Sequence, residues 1–339
     1  MKLLTEGKSK LALLGSVAVI LIVFPLLVAG KPFTINICIL AGISIILGMT
    51  FSMLFSAGLI SLGCAAFYAI GAYASALLTM KLGLNFWLAL PLAIIITGAV
   101  ALAIGSMLVR NPGFSFVVLT LLFALVVAEV VGQLGFFGGW GGIIDIPRPD
   151  PIGPIEFSSN ISYYYLLLFL LALVVTVFYA LYTSRVGRAW RAIKLSASLA
   201  QTLGINAYRY RLLAFVVASS AAGLAGSFYA HYYQTVIPST FSGWVSIYIQ
   251  LYAVLGGLEF YILGPAVGAV IMTFAPEFLR VIKEFEPLIM GALLLAIILF
   301  FPGGILGTLQ KLPRFSLASI SARMKRIAKG VFTRDNLTK

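Results

Sequence analysis

The sequence predicts an all-α, polytopic integral membrane protein of about ten transmembrane helices, some of them broken or re-entrant. Three observations predict it. Of the 339 residues, 61% are hydrophobic and only 10% are charged, where ordinary soluble domains carry about 25% charged residues. Runs such as 11–30 and 84–109 hold no charge, and a helix needs about 20 apolar residues to cross a hydrocarbon core of about 30 Å. The short alternating segments that mark a transmembrane barrel are missing, which leaves helices as the spanning structure.

A first span is expected near 11–30. Basic residues precede it, as in a signal peptide, but the apolar stretch exceeds an h-region of about 7 to 15 residues, so an uncleaved helix is expected. Further spans are expected near 33–50, 64–80, 84–109, 115–136, 162–184, 210–231, 242–257, 263–279 and 287–302. From Phe33 to Met80 there is no charge, yet "LGMTFSMLFSAGLISLGCAAFYAIGAYASALL" is strewn with Gly, Ser and Ala. Such a stretch either turns within the protein or runs as broken helices. Non-helical backbone at membrane depth is tolerated only where protein or a water-filled cavity covers it, which makes this the expected pathway. Close helix packing through small residues is the simpler use of the same composition. Near the other end, "VLGGLEFYILGPAVGAV", Val254 to Val270, reads as a tight turn punctuated by Gly and Pro.

Charge placement orients these spans. With the N-terminus inside, 18 of the 23 Lys and Arg fall on segments 1–10, 110–114, 185–209 with Arg211, and 303–339. Lys31, Lys81, Arg148, Arg280 and Lys283 fall on the other side. By the positive-inside rule both termini are cytoplasmic. The expected organisation is a cytoplasmic N-terminus over 1–10, a transmembrane domain over 11–302 with a cytoplasmic loop at 185–209, and a basic tail over 303–339. The net charge of +13 is thus a topology signal, with anionic membrane lipid rather than nucleic acid as its partner.

Chemistry is sparse. Cys38 and Cys64 lie in apolar sequence, without metal-ligand spacing or a disulfide framework. "EGKSK", Glu6 to Lys10, lacks the upstream glycine and strand of a phosphate-binding loop. The chain is therefore expected to bind no cofactor and to be no enzyme, any ATP and Mg being held by a partner chain. His231, the one histidine, is expected to be an interfacial polar residue at the outer end of a helix. Glu129, in "LLFALVVAEVVGQL", is the one acid these spans place deep in a helix. Intramembrane acids are functional candidates by default, and Gln133, four residues on, shares its face. A structural hydrogen bond is the simpler use of Glu129. Substrate contact, or proton coupling in a self-contained secondary transporter, is the other.

The loop from Arg185 to Arg211 holds six Lys and Arg and no acid. Within it, "LSASLAQTLGIN" spaces Leu195, Leu199 and Leu203 four apart before Gly204, which ends the pattern as a C-cap glycine does. A short amphipathic helix is expected, facing either a protein partner or the membrane surface.

Sequence "GRAWRAIKLSASLAQTLGINAYRYRLLAFVVASSAAGLAGSFYA" resembles the signature region of the M-type permease subunit of branched-chain amino acid ABC importers. The matching residues run Gly187, Arg188, Arg191, Ala192, Ala200, Leu203, Gly204, Ile205, Asn206, Arg209, Tyr210, Leu213, Ala214, Phe215, Gly223, Ala225 and Gly226. "SLGCAAFYAIGAYASALL", "GGWGGIIDIPRP", "GGLEFYILGPAVGA" and "FFPGGILG" resemble further parts of that family in order, from about Ile37 to Gly307. The resemblance implies one permease of an ATP-driven importer in a bacterial or archaeal inner membrane. Its partners would be a second homologous permease, two ATP-binding subunits and an extracytoplasmic substrate-binding protein. It implies pathway residues Ser56, Gly58, Ser61, Gly63, Cys64 and Phe67, with Glu129 added from the reading above. It implies ATPase coupling through Leu199, Ala200, Leu203, Gly204, Ile205 and Asn206.

Two departures stand out. Gly58 and Leu59 replace the family's usual Gly-Gln pair and Cys64 its usual histidine, which makes the expected pathway less polar. Ala197 and Gln201 stand at loop positions often acidic in relatives, which favours apolar docking. Branched-chain or other small hydrophobic amino acids are the expected cargo, with urea, short amides, small carboxylates or nucleosides as alternatives.

Overall fold

The computed structural model describes residues 32–151, 157, 159–279, 291 and 303–311. The spans expected near 11–30 and, except for Gly291, near 287–302 lie outside these residues, as do the N-terminal segment 1–10 and the tail beyond residue 311. The described chain is helical: α1 (Pro32–Ser56), α2 (Cys64–Leu82), α3 (Phe86–Leu108), α4 (Phe114–Gln133), α5 (Asn160–Thr183), α6 (Arg185–Leu195), α7 (Ala197–Thr202), α8 (Ala207–Tyr233), α9 (Gly243–Gly256), α10 (Leu263–Leu279) and α11 (Gly304–Lys311). Six of them, α1 to α5 and α8, are long and apolar enough to cross a membrane, and α9 and α10 are shorter apolar helices. This is a polytopic helical membrane protein.

The helices sort into a centre and a periphery. In their most apolar windows α1, α2 and α8 are 78%, 61% and 67% buried, against 28%, 22% and 28% for α3, α4 and α5. Small residues set the central contact, since a side chain at Gly71 of α2 would run into the backbone of Gly223, and one at Gly226 of α8 into the carbonyl of Tyr68. Without a hydrophobic drive between helices in lipid, such close backbone approach is the main source of attraction.

Two breaks depart from straight spans. The sequence places a span near 33–50 and a turn near 51–63, but α1 runs on as one helix to Ser56. Only residues 57–63 are non-helical, and they climb into the bundle. As a result α2 starts beside Phe215 and Ser219, more than two turns into α8. The second break follows β2 (Thr235–Val236), which pairs antiparallel with β1 (Ile143–Ile144) of the α4–α5 connection. From there the chain turns back into the protein, where Phe241 packs edge-on against Tyr68 and Tyr229. α9 then has only 14 residues, about 21 Å of helix, too short to span alone.

Candidate functional site

The break after α1 is held by side chains from α4 and α9 and by Arg211 of α8, whose Nε donates to Ala57 O. Gly58 takes a φ of +73°, a left-handed conformation open to glycine at little strain, and its N–H donates to Phe55 O at 3.1 Å. Beyond it, Gly63 N–H donates to Ser61 Oγ at 3.1 Å, Leu62 N–H to Thr120 Oγ1 of α4 at 3.1 Å, and Ala65 N–H to Ser246 Oγ of α9 at 3.1 Å. Gln250 of α9, one turn on, donates to Ser61 O at 3.3 Å. The N–H groups of Leu62, Gly63 and Ala65 thus find partners inside the protein, as membrane depth requires.

Around this segment Ser61, Cys64 and Phe67 meet Leu54, Phe215, Ala218, Ser219 and Ala222 at one point that leaves no room for a water molecule. The Phe67 ring lies 5.3 Å from both Phe123 and Phe215, centroid to centroid. Thr50 Oγ1 donates to Leu47 O at 2.6 Å and lies 3.8 Å from Cys64 Sγ. The expected pathway residues Ser61, Cys64 and Phe67 therefore converge. Gly63 lies directly behind them, and Ser56 and Gly58 sit below, toward the loop that joins α5 to α8. Thr50, Thr120, Ser219, Ser246 and Gln250 join them without having been singled out from the sequence. Their signal was there, as isolated polar residues within long apolar spans.

Glu129 is not among them. It sits in the last turn of α4 rather than deep in a span, with an exposed side chain whose Oε1 accepts from Gln133 Nε2 at 2.8 Å. The pair on one face is as expected. His231 also differs from expectation, being 1% exposed rather than interfacial. Its Nδ1 lies 2.7 Å from Pro147 O, an acceptor only, so that nitrogen carries the proton in the neutral ring. Nε2 then accepts from Ser75 Oγ at 2.9 Å, and Ser75 in turn accepts from Ser227 Oγ at 2.8 Å. This chain of hydrogen bonds ties α2, α8 and the α4–α5 connection together at the end far from the 185–209 loop.

That loop is two helices with opposite faces. Ser184, Ser196 and Asn206 cap α6, α7 and α8, each accepting from a backbone N–H of the first turn. On the inner face Trp190 is fully buried and its Nε1 donates to Tyr210 O at 2.8 Å. Ile193, Ala200 and Ala207 form a small core with Ile205 and Tyr210. On the outer face Leu195, Leu199 and Leu203 are 89%, 64% and 75% exposed. Gly204 follows with a φ of +81° and open space where a Cβ would be. Among the six expected coupling residues, Leu199, Leu203, Gly204 and Asn206 are exposed, while Ala200 is buried and Ile205 half-buried. Arg185, Arg188 and Arg191 are exposed as well.

Residues 33–301 match the family described as the permease component of branched-chain amino acid transport systems. The chain belongs to that family. The permease is 30% identical over 343 residues to the high-affinity branched-chain amino acid transport system permease protein LivM of Salmonella typhimurium strain LT2, covering 93% of this chain and 79% of that one. It is 30% identical over 326 residues to LivM of Escherichia coli strain K12, covering 88% and 75%. A second kind of relative, the permease protein LivH of Escherichia coli strain K12, is 31% identical over 159 residues, covering 45% of this chain and 50% of that one. No solved structure matches the permease. Both residues 56–67 and the 185–209 loop fall within the matched residues.

Proposed function

We propose that the permease forms part of the substrate pathway of an ATP-driven importer for branched-chain or other small hydrophobic amino acids, and that its 185–209 loop docks an ATP-binding subunit. One observation carries the docking: Leu195, Leu199 and Leu203 are all exposed on a loop that also exposes three arginines, while Trp190 fixes the loop to α8 from the buried side. Such exposed leucines, held from behind, fit a protein partner that covers them and pushes on them. A second homologous permease, a second ATP-binding subunit and an extracytoplasmic binding protein complete this reading, with ATP and Mg held by the ATP-binding subunits. The lining of Phe67, Phe215, Leu54 and Ala222 around Cys64 favours an apolar cargo over urea, amides or nucleosides. Glu129, exposed and apart from that lining, gives no support to a proton-coupled carrier.

In this reading the pathway is closed at Ser61, Cys64 and Phe67, whose contact leaves no room for a water molecule. Opening it requires the start of α2 to part from α8 and α9. In this reading, closure of the ATP-binding subunits on nucleotide moves the loop and drives that parting.

Leu203→Asp tests the docking. A carboxylate on the covered surface loses its water without gaining a partner, and the expected result is at least tenfold weaker association with the ATP-binding subunit, about 1.4 kcal/mol. Co-purification and ATP-driven uptake should both fall, while the yield of folded permease stays unchanged because residue 203 packs on nothing in the chain's core. Retention of the ATP-binding subunit and of normal uptake would remove the loop from the proposal.

A further inference from the structure

Between the exposed leucines and the proposed pathway lies a cluster that neither reading uses. Lys194 occupies the last turn of α6, directly before Leu195. Its Nζ sits 3.8 Å from the centroid of the Phe55 ring and 5.6 Å from that of Tyr261, both within the range of a cation–π contact. Phe55 belongs to the last turn of α1, immediately before the non-helical segment. The backbones also meet, since a Cβ placed on Gly58 would lie 3.3 Å from Lys194 Cα. Arg211, one turn into α8, donates from Nε to Ala57 O at 3.4 Å. Tyr261 comes from the α9–α10 connection and stacks on Tyr182 at the end of α5, with centroids 5.0 Å apart and planes 18° from parallel. Tyr182 is edge-on to Trp190 at 6.3 Å.

Resting on the docking proposed above, we propose that Lys194 is the positioning residue that carries movement of the loop to the pathway, by clamping the end of α6 to Phe55 and Tyr261. The placement decides this. α6 touches α8 through Trp190; it meets both the end of α1 and the α9–α10 connection at Lys194, while Arg191 is near Tyr261 alone. The end of α1 and that connection lead to Ser61 from two sides: α1 runs into it, and α9, which runs into the connection, supplies the Gln250 bond to its carbonyl. A push on Leu195, Leu199 and Leu203 displaces the last turn of α6 first. Through the clamp it then reaches both elements that hold the break at 57–63. Loss of water around the ammonium lowers the pKa of Lys194, and Glu259 acts against that loss. The ammonium thus sits against the rings partly out of water, unlike a freely solvated surface lysine.

The test uses the assembled transporter in liposomes, with the ATP-binding subunits, the second permease and the binding protein present, and compares Lys194→Met, Lys194→Arg and Phe55→Leu. For Lys194→Met the expected result is unchanged co-purification of the ATP-binding subunits and ATP hydrolysis within about twofold, with uptake per ATP hydrolysed reduced about tenfold. Lys194→Arg, which keeps a cation over the rings, should restore most of the uptake. Phe55→Leu should reproduce the loss, and the double variant with Lys194→Met should be no worse than either single, the signature of one shared contact. Normal uptake per ATP in Lys194→Met overturns the proposal. So does loss of the ATP-binding subunits in that variant alone, since Lys194 would then belong to the docking face. Failure of the unaltered permease to bind them would instead overturn the docking itself.

Discussion

Ala65 gives its backbone N–H to a serine hydroxyl 181 positions away in sequence, and that single contact fixes the start of α2 against α9. A buried donor without a partner costs about 1–3 kcal/mol. Ser246→Ala is therefore expected to lower the thermal midpoint of the detergent-solubilised permease by several degrees. Thr176→Val removes a hydroxyl that bonds only Ala172 O on an exposed face, and should leave the midpoint within about a degree. Equal midpoints for the two variants would show that water reaches Ala65. At this scale the sequence could be read only in part. Ser61, Cys64 and Phe67 stand in a recognisable motif, and the structure brings them together. Glu129 was visible as a rare intramembrane acid, but the direction of its side chain was not. On a helix apolar all round there is no polar face against which to judge inside from outside. His231 was misread for a related reason: its partners Ser75, Ser227 and Pro147 come from three distant segments.

Helices were the most legible elements, because length and the absence of charge are sufficient to mark a span. The helices α1 to α5 and α8 to α10 fall on eight of the expected spans, the α1 boundary moving most. The Gly, Ser and Ala enrichment between Phe33 and Met80 has two causes that composition cannot separate. At Gly42 a side chain would meet Leu167, and at Gly48 Pro265 and Tyr252; both lie within the continuous helix α1 and admit neighbours. Only at residues 57–63 does the chain break. The glycines of α2 and α8 give the element-scale prediction. Gly71→Leu should abolish the monodisperse species on size-exclusion chromatography, since its side chain would occupy the backbone of Gly223. Gly135→Ala, with open space at its Cβ, should elute like the parent. Survival of Gly71→Leu would mean that α2 and α8 can shift apart without loss of the fold. The loop was legible only in part: the Leu195, Leu199 and Leu203 spacing and the glycine after it predict one short helix, but the chain breaks at Ser196, and α6 before that break was not legible. The burial of Trp190 against Tyr210 was not either, since it depends on where α8 passes.

Across the whole molecule, α8 carries the 185–209 loop at its start and the β1–β2 pairing just beyond its end, so the two features lie at opposite ends of one spanning helix. The distribution of basic residues orients that helix with the loop in the cytoplasm, as proposed from the positive-inside rule. In a permease otherwise free of cysteine, Gln201→Cys should react with a membrane-impermeant thiol reagent only in inside-out vesicles, and Gly141→Cys only in intact cells. Both positions are exposed. Reaction of both from the same face, or of each from the opposite face, would overturn the orientation.

The dry contact of Phe67 with Phe215 and Phe123 has a consequence for the cell that carries the protein. A membrane holding a potential of 100 mV drives each monovalent ion inward with about 2.3 kcal/mol, and any continuous thread of water through an idle carrier would dissipate it. In the proposed pathway Ser61, Cys64 and Phe67 close on Leu54 and the middle of α8 with no room for a water molecule, and a hydrated ion or a relayed proton finds no site at which to rest there. A proposed pathway that closes on dry aromatic contact between transport cycles would let many idle copies sit in an energised bilayer without discharging it.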